Sequence, residues 1–530
     1  MTKNKDKTEE RKPDSGKILQ GILSIFALVV FCVFPVVVTD AYFNILETKY
    51  QFYSGAAIAM IVLVAVYGVV TGHILQYFKQ FSLKNMLKGL SLADWSMIIF
   101  WIANVISWLI CEWRWEAFWG TSGRYTGVFL VTIYLVVYFI VTRLFTWKRW
   151  YLDAFLAVSM FVCIIGITDY FKMDLLGFKA QMLPRQRHLY TSTLGNINTY
   201  TIYVATSMVI STMLFATEKK LPKIIWYYGC MMVASFALIV GVSDNAYLSL
   251  AALFGLSPLY LFKTKSGVSR YLISIATFFS VLQCIARIDL YYAGPTYRID
   301  SAFTIIAELE FLPALVIGLW VFAGAVTFLL WKKREKDGTN ELGNGLRLAW
   351  VGVIILVVGA VAFGFYDVTV AKHGKRYGEL AYYLRFNDKW GTNRGFVWKR
   401  TVDLFLKELT PLQKLFGHGA DTFALLWVMY FEPMESNGLM VIYDNAHNEY
   451  LNFLITIGLT GMIAYIALYV SAIAAMCKRV SKSPDVAALM MVVAAYAIQA
   501  TVNINVPIVM PIIIQMLAMG LGKAPEEDEP

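Results

Sequence analysis

Long runs of apolar residues separated by short polar stretches dominate this chain, and they predict membrane-spanning helices. A helix needs roughly 20 apolar residues to cross the hydrocarbon core of a bilayer. Runs of this kind occur at 18–38, 55–77, 94–111, 126–146, 151–170, 197–217, 223–242, 246–262, 271–289, 303–331, 348–366, 449–477, 485–503 and 506–522. The pattern predicts an all-α fold, a polytopic integral membrane bundle of about 12–14 transmembrane helices.

The polar stretches divide the chain into five predicted parts. These are a charged cytoplasmic tail at 1–17, an N-terminal transmembrane bundle of about 11 helices at 18–366, a long extracytoplasmic loop at 367–446, C-terminal transmembrane helices at 447–522 and an acidic cytoplasmic tail at 523–530. Within the loop, the segment 395–409 spaces Trp398, Val402, Phe405 and Leu409 as one face of a helix. We expect an amphipathic helix there, lying on the bilayer surface or capping the bundle.

Composition excludes other classes of protein. Apolar residues make up 58% of the chain and charged residues only 15%, whereas soluble domains carry roughly 25% charged residues. A membrane β-barrel would show short alternating strands in place of long apolar runs. The six cysteines lie within or at the ends of apolar segments, and no metal-ligand spacing occurs, so we expect neither disulfides nor a metal site.

The charge distribution predicts topology. The net charge is +10, which would also suit nucleic acid, but the basic residues lie in short loops between apolar runs. With the N-terminus in the cytoplasm, most Lys and Arg of the tail and short loops fall on the cytoplasmic side, as the positive-inside rule requires. We therefore expect the lipid bilayer as a partner and no nucleic acid, with 367–446 outside the cytoplasm.

A polar cluster at Asp444–Glu449 contains the candidate chemistry. It places His447 where a predicted membrane helix meets water, and imidazole exchanges protons near neutral pH. In the alternative interpretation, Asn445 or Asn448 caps the helix and His447 only sits at the interface. The spacing of the residues leaves both interpretations open.

The sequence from His447 to Leu451, followed by Gly458-Leu459-Thr460-Gly461, resembles the signature of the O-antigen ligase and O-antigen polymerase family. These bacterial membrane proteins move glycans from an undecaprenyl-diphosphate carrier to an acceptor. Three further pieces resemble the family in the same order: 123–127 (Arg-x-x-Gly), 193–198 (with Ile197 replacing a proline) and 393–398 followed by 415–419.

The resemblance implies a GT-C-like, metal-independent glycosyl transferase of the bacterial cytoplasmic (inner) membrane, with both termini in the cytoplasm and its site outside. It implies no cofactor, an undecaprenyl-diphosphate-linked glycan as donor, and a glycan, lipid or protein as acceptor. As catalytic residues we expect His447, as base for the acceptor hydroxyl or hydrogen-bond partner of the diphosphate, and Arg394. As substrate-binding residues we expect Arg124, Arg185, Arg187, Asn196, Asn198 and Asn448.

One departure from the family pattern concerns the diphosphate. Members usually carry Ser-Arg-Gly at the outer end of a mid-chain helix, whereas this chain has Ser243-Asp244-Asn245. Either Arg185, Arg187 or Arg298 replaces the missing arginine, or the substrate is held differently.

Ligase and polymerase share these motifs, and the sequence does not separate them. A lipid-linked glycan transporter is the alternative from another class. Transporters usually carry ionisable residues near the bilayer midplane and two similar halves, and neither feature is evident here. A non-catalytic scaffold also remains open, although no feature of the sequence requires one.

Overall fold

The computed structural model describes residues 15–523 apart from 80–81, 122, 293, 300, 302, 432–433, 437–438 and 482. In the first half of the chain the helices are α1 (Ser15–Leu28), α2 (Ile45–Val70), α3 (His73–Lys79), α4 (Leu83–Lys88), α5 (Leu92–Ile110), α6 (Arg114–Trp119), α7 (Val128–Leu144), α8 (Trp150–Tyr170), α9 (Ile197–Thr217), α10 (Leu221–Val240), α11 (Asn245–Leu256) and α12 (Pro258–Leu261). In the second half they are α13 (Lys265–Tyr291), α14 (Phe303–Ala307), α15 (Leu312–Asp337), α16 (Gly345–Thr369), α17 (Leu380–Leu384), α18 (Trp390–Lys407), α19 (Pro411–Phe416), α20 (Phe423–Tyr430), α21 (Glu449–Thr456), α22 (Gly458–Cys477), α23 (Pro484–Gln499) and α24 (Met510–Leu521).

The described chain also contains short π-helical, 3-10 and β segments. After α1 a π-helical turn (Val29–Val33) leads into a 3-10 turn (Phe34–Val36), and further 3-10 turns span Pro184–Leu189, Gly374–Tyr377 and Ala500–Val502. Two small antiparallel ribbons pair β1 (Tyr190–Thr191) with β2 (Gly195–Asn196), and β3 (Met434–Ser436) with β4 (Leu439–Val441).

The predicted fold class is confirmed. Eleven described helices are long and apolar enough to span a membrane, and three shorter apolar helices (Val128–Leu144, Asn245–Leu261 and Met510–Leu521) accompany them. These helices lie at the fourteen apolar runs of the sequence. The predicted tails at 1–17 and 523–530 lie outside the described residues, except for 15–17 and Lys523.

Helix α9 lies at the centre of the bundle. Every residue from Thr199 to Ala216 is buried, and the helix packs against α8, α10, α11, α13 and α23. Small and hydroxyl-bearing side chains recur along it, and such residues let membrane helices approach closely. The hydroxyls of Thr206 and Ser211 donate to carbonyls one turn back in the same helix, which satisfies them inside the apolar core.

The predicted single helix at 449–477 is wrong, because the structure breaks it between Thr456 and Gly458. Gly458 has a φ of +70°, which a residue with a side chain rarely adopts. A Cβ there would lie 2.3 Å from the carbonyl carbon of Leu415, and one at Gly417 would lie 2.2 Å from that of Thr456. Two backbones therefore cross in direct contact, and the crossing fixes the 411–422 segment against the start of α22.

The amphipathic helix predicted at 395–409 exists as part of α18, but its buried face is one residue out of register with the prediction. Val397, Thr401 and Leu404 are buried, whereas Val402 is exposed. The cause is a neighbour that the local spacing does not reveal, since α18 packs on α21. Helix α18 thus caps the short helix that follows His447.

Candidate functional site

His447 lies in the turn between β4 and α21, held by its two asparagine neighbours. Its backbone N–H donates to Oδ1 of Asn445 over 2.9 Å, and its φ is +49°. Asn448 caps α21 by accepting the backbone N–H of Leu451 over 3.0 Å. The cap predicted at the helix start is therefore present and made by Asn448, and the role of His447 as a base stays a prediction.

The charges around His447 come from its own loop and from two distant segments of the chain. Arg394, Asp444 and Arg124 all act electrostatically on the imidazole. Burial, reinforced by the positive charges of Arg394 and Arg124, lowers the pKa of His447 to about 4, while Asp444 opposes the shift. The imidazole is therefore neutral at neutral pH, which is the form that can accept a proton.

Arg124 is held on both sides. Its guanidinium Nη2 contacts the two carboxylate oxygens of Asp444 at 2.8 and 3.0 Å. Its backbone N–H donates to Oδ2 of Asp421 over 2.8 Å, and the N–H of Thr126 donates to the same oxygen over 2.9 Å. The guanidinium of Arg124 is thereby fixed beside the turn that carries His447.

Asp421 was missed by the sequence analysis. It is buried, and burial raises the pKa of its carboxyl to about 6 although the N–H of Thr126 and that of Arg124 oppose the shift. A Cβ at Gly123 would lie 2.5 Å from Cγ of Asp421, so the carboxylate fits this turn only because position 123 is a glycine. The signal available was weak: Asp421 follows the Gly417-His418-Gly419 turn of the family pattern.

Replacing Asp421 with alanine should destabilise the protein and misplace Arg124. The change leaves two partly buried N–H groups without their acceptor, and each lost hydrogen bond costs about 1 kcal/mol. We expect a lower thermal unfolding temperature in detergent, measured against Asp403→Ala, which removes an exposed carboxylate paired with Lys407. Equal unfolding temperatures for the two variants would show that Asp421 does not hold the turn.

Arg394 enters the site from the first turns of α18. The three preceding residues, Gly391 to Asn393, have φ values of +58°, +60° and +70°, so the chain reverses sharply before Arg394. A guanidinium nitrogen of Arg394 donates to the carbonyl of Gly391 over 3.2 Å, and its buried Nε has no hydrogen-bond partner in the described part of the chain. Burial lowers the pKa of Arg394, and the charge of Asp244 opposes this.

Asn196 and Asn198 lie in the turn that begins α9. Oδ1 of Asn196 accepts the backbone N–H of Asn198 over 2.9 Å. Oδ1 of Asn198 accepts the hydroxyl of Ser243 over 2.7 Å and the side-chain amide of Asn245 over 3.3 Å. The turn at 193–198 is thus tied to the turn that carries Asp244, whose charge acts on Arg394. The role of Asn196 and Asn198 in binding substrate stays a prediction.

Arg185 and Arg187 belong to the 3-10 turn at Pro184–Leu189. Nε of Arg187 donates to the carbonyl of Met182 over 3.2 Å, and its Nη2 donates to that of Ala180 over 3.3 Å. The charged groups that shift the pKa of His447 include neither arginine. Arg124 and Arg394 thus act on His447, whereas the predicted role of Arg185 and Arg187 in binding substrate stays a prediction.

Glu449 belongs to the His447–Leu451 signature, but the sequence did not predict its partners. Its buried carboxylate accepts the phenol hydroxyls of Tyr465 over 2.6 Å and Tyr496 over 2.7 Å. These bonds tie the first turn of α21 to α22 and α23. Glu449 therefore anchors the helix start that positions His447 and Asn448.

No group of three or more His, Cys, Asp or Glu side chains is arranged to hold a metal ion within the described ranges. The charged groups at the site are instead the two arginines with Asp444, Asp244 and Asp421.

Part of the chain matches a known family model. Residues 301–466 match the family model described as O-antigen ligase. That range contains Arg394, Asp421 and His447, whereas Arg124 and the two asparagines of the α9 turn precede it. No curated protein matches the chain.

Proposed function

We propose that this chain, whose residues 301–466 match the family model described as O-antigen ligase, transfers an oligosaccharide or polysaccharide from undecaprenyl diphosphate to an acceptor at the outer face of the cytoplasmic membrane. The observation that carries the proposal is the grouping of a neutral imidazole, His447, with the guanidinium groups of Arg394 and Arg124. A proton acceptor and fixed positive charge are the two groups that this transfer requires.

In the proposed reaction the acceptor hydroxyl oxygen bonds to the anomeric carbon while the bond from that carbon to the diphosphate oxygen breaks. Undecaprenyl diphosphate departs with the bonding electrons, and the hydroxyl proton passes to His447. The donor already carries a good leaving group, so the protein mainly orients the acceptor and stabilises the developing charge. Arg394 is the better placed arginine for that charge, because Arg124 is already paired with Asp444.

The donor itself improves the base. In the protein without substrate, Arg394 is among the groups that lower the pKa of His447. A diphosphate bound at Arg394 adds negative charge beside the imidazole, which favours its protonated form and raises its pKa. The imidazole therefore becomes a stronger proton acceptor when the donor is in place.

The acceptor distinguishes ligase from polymerase within this proposal. A lipid, a protein or a different glycan as acceptor makes the protein a ligase, whereas a second lipid-linked glycan makes it a polymerase. The same imidazole and arginines serve either reaction. We propose the ligase reaction first and the polymerase reaction as the alternative.

The proposal is tested with the full chain in proteoliposomes, supplied with lipid-linked glycan and membrane extract as acceptor source, with EDTA present. We expect loss of the lipid-linked donor and appearance of a larger glycoconjugate without a nucleotide sugar or metal. An unchanged donor pool with correctly folded, membrane-inserted protein would refute the transfer.

In cells, a cysteine at Asp388 should react with an impermeant thiol reagent and one at Ser481 should not, since we place the long loop outside.

A further inference from the structure

Two neighbouring cavities open on the face of the bundle where α9 begins. The larger, about 760 Å³, lies between the end of α13 and the start of α15. The smaller, about 460 Å³, lies among the ends of α8 and α10 and the start of α9. Tyr297 and Arg298 line both, so the two cavities meet at a shared wall. Cavities of this size accommodate small organic ligands.

Charged groups of both signs converge on the larger cavity. Gln283 and Arg287 come from one face of α13, a turn apart, and Glu308 and Glu310 come from the link between α14 and α15. Within the described residues, none of Arg287, Arg298, Glu308 and Glu310 forms an ion pair. Oε1 of Gln283 is buried there without a hydrogen-bond partner in the described part of the chain.

This set of groups favours one class of ligand. A phosphate would face the carboxylates of Asp289, Glu308 and Glu310, and a cation would face two guanidinium groups. A neutral polyhydroxylated molecule suits both, because its hydroxyls donate to carboxylates and the Gln283 carbonyl and accept from the arginine forks. We propose that the larger cavity, continued through the Tyr297–Arg298 wall into the smaller one, is a saccharide-binding cleft for sugar units remote from the reacting end of a glycan.

The second cavity gives the cleft its direction. Its lining includes Ile197 and Val242, which flank the tied turns of Asn198 and Asp244. Asp244 in turn acts electrostatically on Arg394. A glycan lying through both cavities thus extends to the turn that carries Asp244, whereas a single lipid headgroup has no need of a second cavity. This assignment rests on the proposed function, because it identifies the ligand as that reaction's glycan.

Binding is measured on the full chain in nanodiscs, with the oligosaccharide released by mild acid from the lipid-linked donor as the probe. The double variant Arg287→Ala/Glu308→Gln removes two charged hydrogen-bonding partners. We expect its Kd for the probe to rise about tenfold or more. The matched control is Arg334→Ala/Glu335→Gln, which changes the same residue types in exposed positions at the other end of α15. The control should bind as the wild type does.

Transfer kinetics separate this inference from the proposed function. If the cleft holds remote sugars, the double variant should raise KM for the donor with little change in kcat, as for a lost binding contact that is equal in ground and transition states. Two outcomes overturn the cleft. In one, the double variant binds the probe as tightly as the wild type. In the other, the double variant loses copurified phosphatidylethanolamine and keeps its affinity for the probe. A wild type that binds the probe but never transfers glycan overturns the function instead. Glu308→Gln alone, which is isosteric, repeats the test if the double variant unfolds.

Discussion

Replacing His447 should abolish glycan transfer while leaving the protein in the membrane. Proton transfer by a positioned side chain contributes typically about 10²–10⁴-fold to a rate, so we expect a loss of transfer in that range. The helix that follows keeps its cap, because Asn448 rather than His447 accepts the backbone N–H of Leu451. The lipid-linked donor should accumulate unprocessed, and its conversion in proteoliposomes at matched protein content measures the effect.

The choice of substitution matters because His447 has a φ of +49°. Alanine is strained in this left-handed region by about 1–2 kcal/mol, whereas asparagine adopts it more readily. We therefore expect His447→Asn to keep the wild-type unfolding temperature more closely than His447→Ala, with equally low activity in both. A normal transfer rate in His447→Asn would show that the histidine only occupies the turn.

A matched histidine variant gives the control. His73 is the exposed first residue of α3 and contacts the hydroxyl of Thr71, and within the described residues it makes no hydrogen bond or ion pair with Arg394 or Arg124. His73→Ala should transfer glycan at the wild-type rate. If it also loses activity, the effect at His447 reflects a general disturbance of the bundle.

The membrane bundle could be predicted from the sequence because its signal is long and local. Each span is a run of roughly 20 apolar residues, and such runs correspond to the helices of the structure. The break at Thr456–Gly458 could not be predicted in this way, because Gly458 lies in an apolar run like any membrane glycine. Only the crossing with Leu415, 43 positions earlier, makes its φ of +70° necessary.

The candidate site, too, was predicted where the signal is local and missed where it depends on distant contacts. His447, Arg394 and Arg124 were expected from short motifs, and the structure brings these three together from a span of more than 300 residues of the chain. Asp421 and Glu449 were not expected, since their parts depend on partners that no local pattern contains. Asp421 binds the backbone of the 120–127 turn, and Glu449 binds phenols of α22 and α23. A carboxylate whose partners lie far along the chain has no local sequence pattern that predicts its role.

The second large effect is expected from the conservative change Arg394→Lys. An arginine presents a planar fork that binds two phosphate oxygens at once, whereas lysine is a point charge on a flexible stem. Arg394 is partly buried, and its buried Nε lacks a hydrogen-bond partner in the described part of the chain, so this donor is available to an incoming oxygen. We expect transfer to fall at least about tenfold, the equivalent of one lost charged hydrogen bond, at wild-type levels of membrane protein.

Arg400→Lys supplies the control on the same helix, because Arg400 is exposed and lies over the rings of Phe396 and Phe431. Both variants keep a positive charge on α18, so a difference between them reports the geometry of the guanidinium and not the charge. If Arg394 also raises the basicity of His447 by recruiting the diphosphate, the lysine variant should need a higher donor concentration to reach its maximal rate. Unchanged transfer and unchanged donor dependence in Arg394→Lys would reduce Arg394 to a general positive charge, and the diphosphate would then have to be held elsewhere.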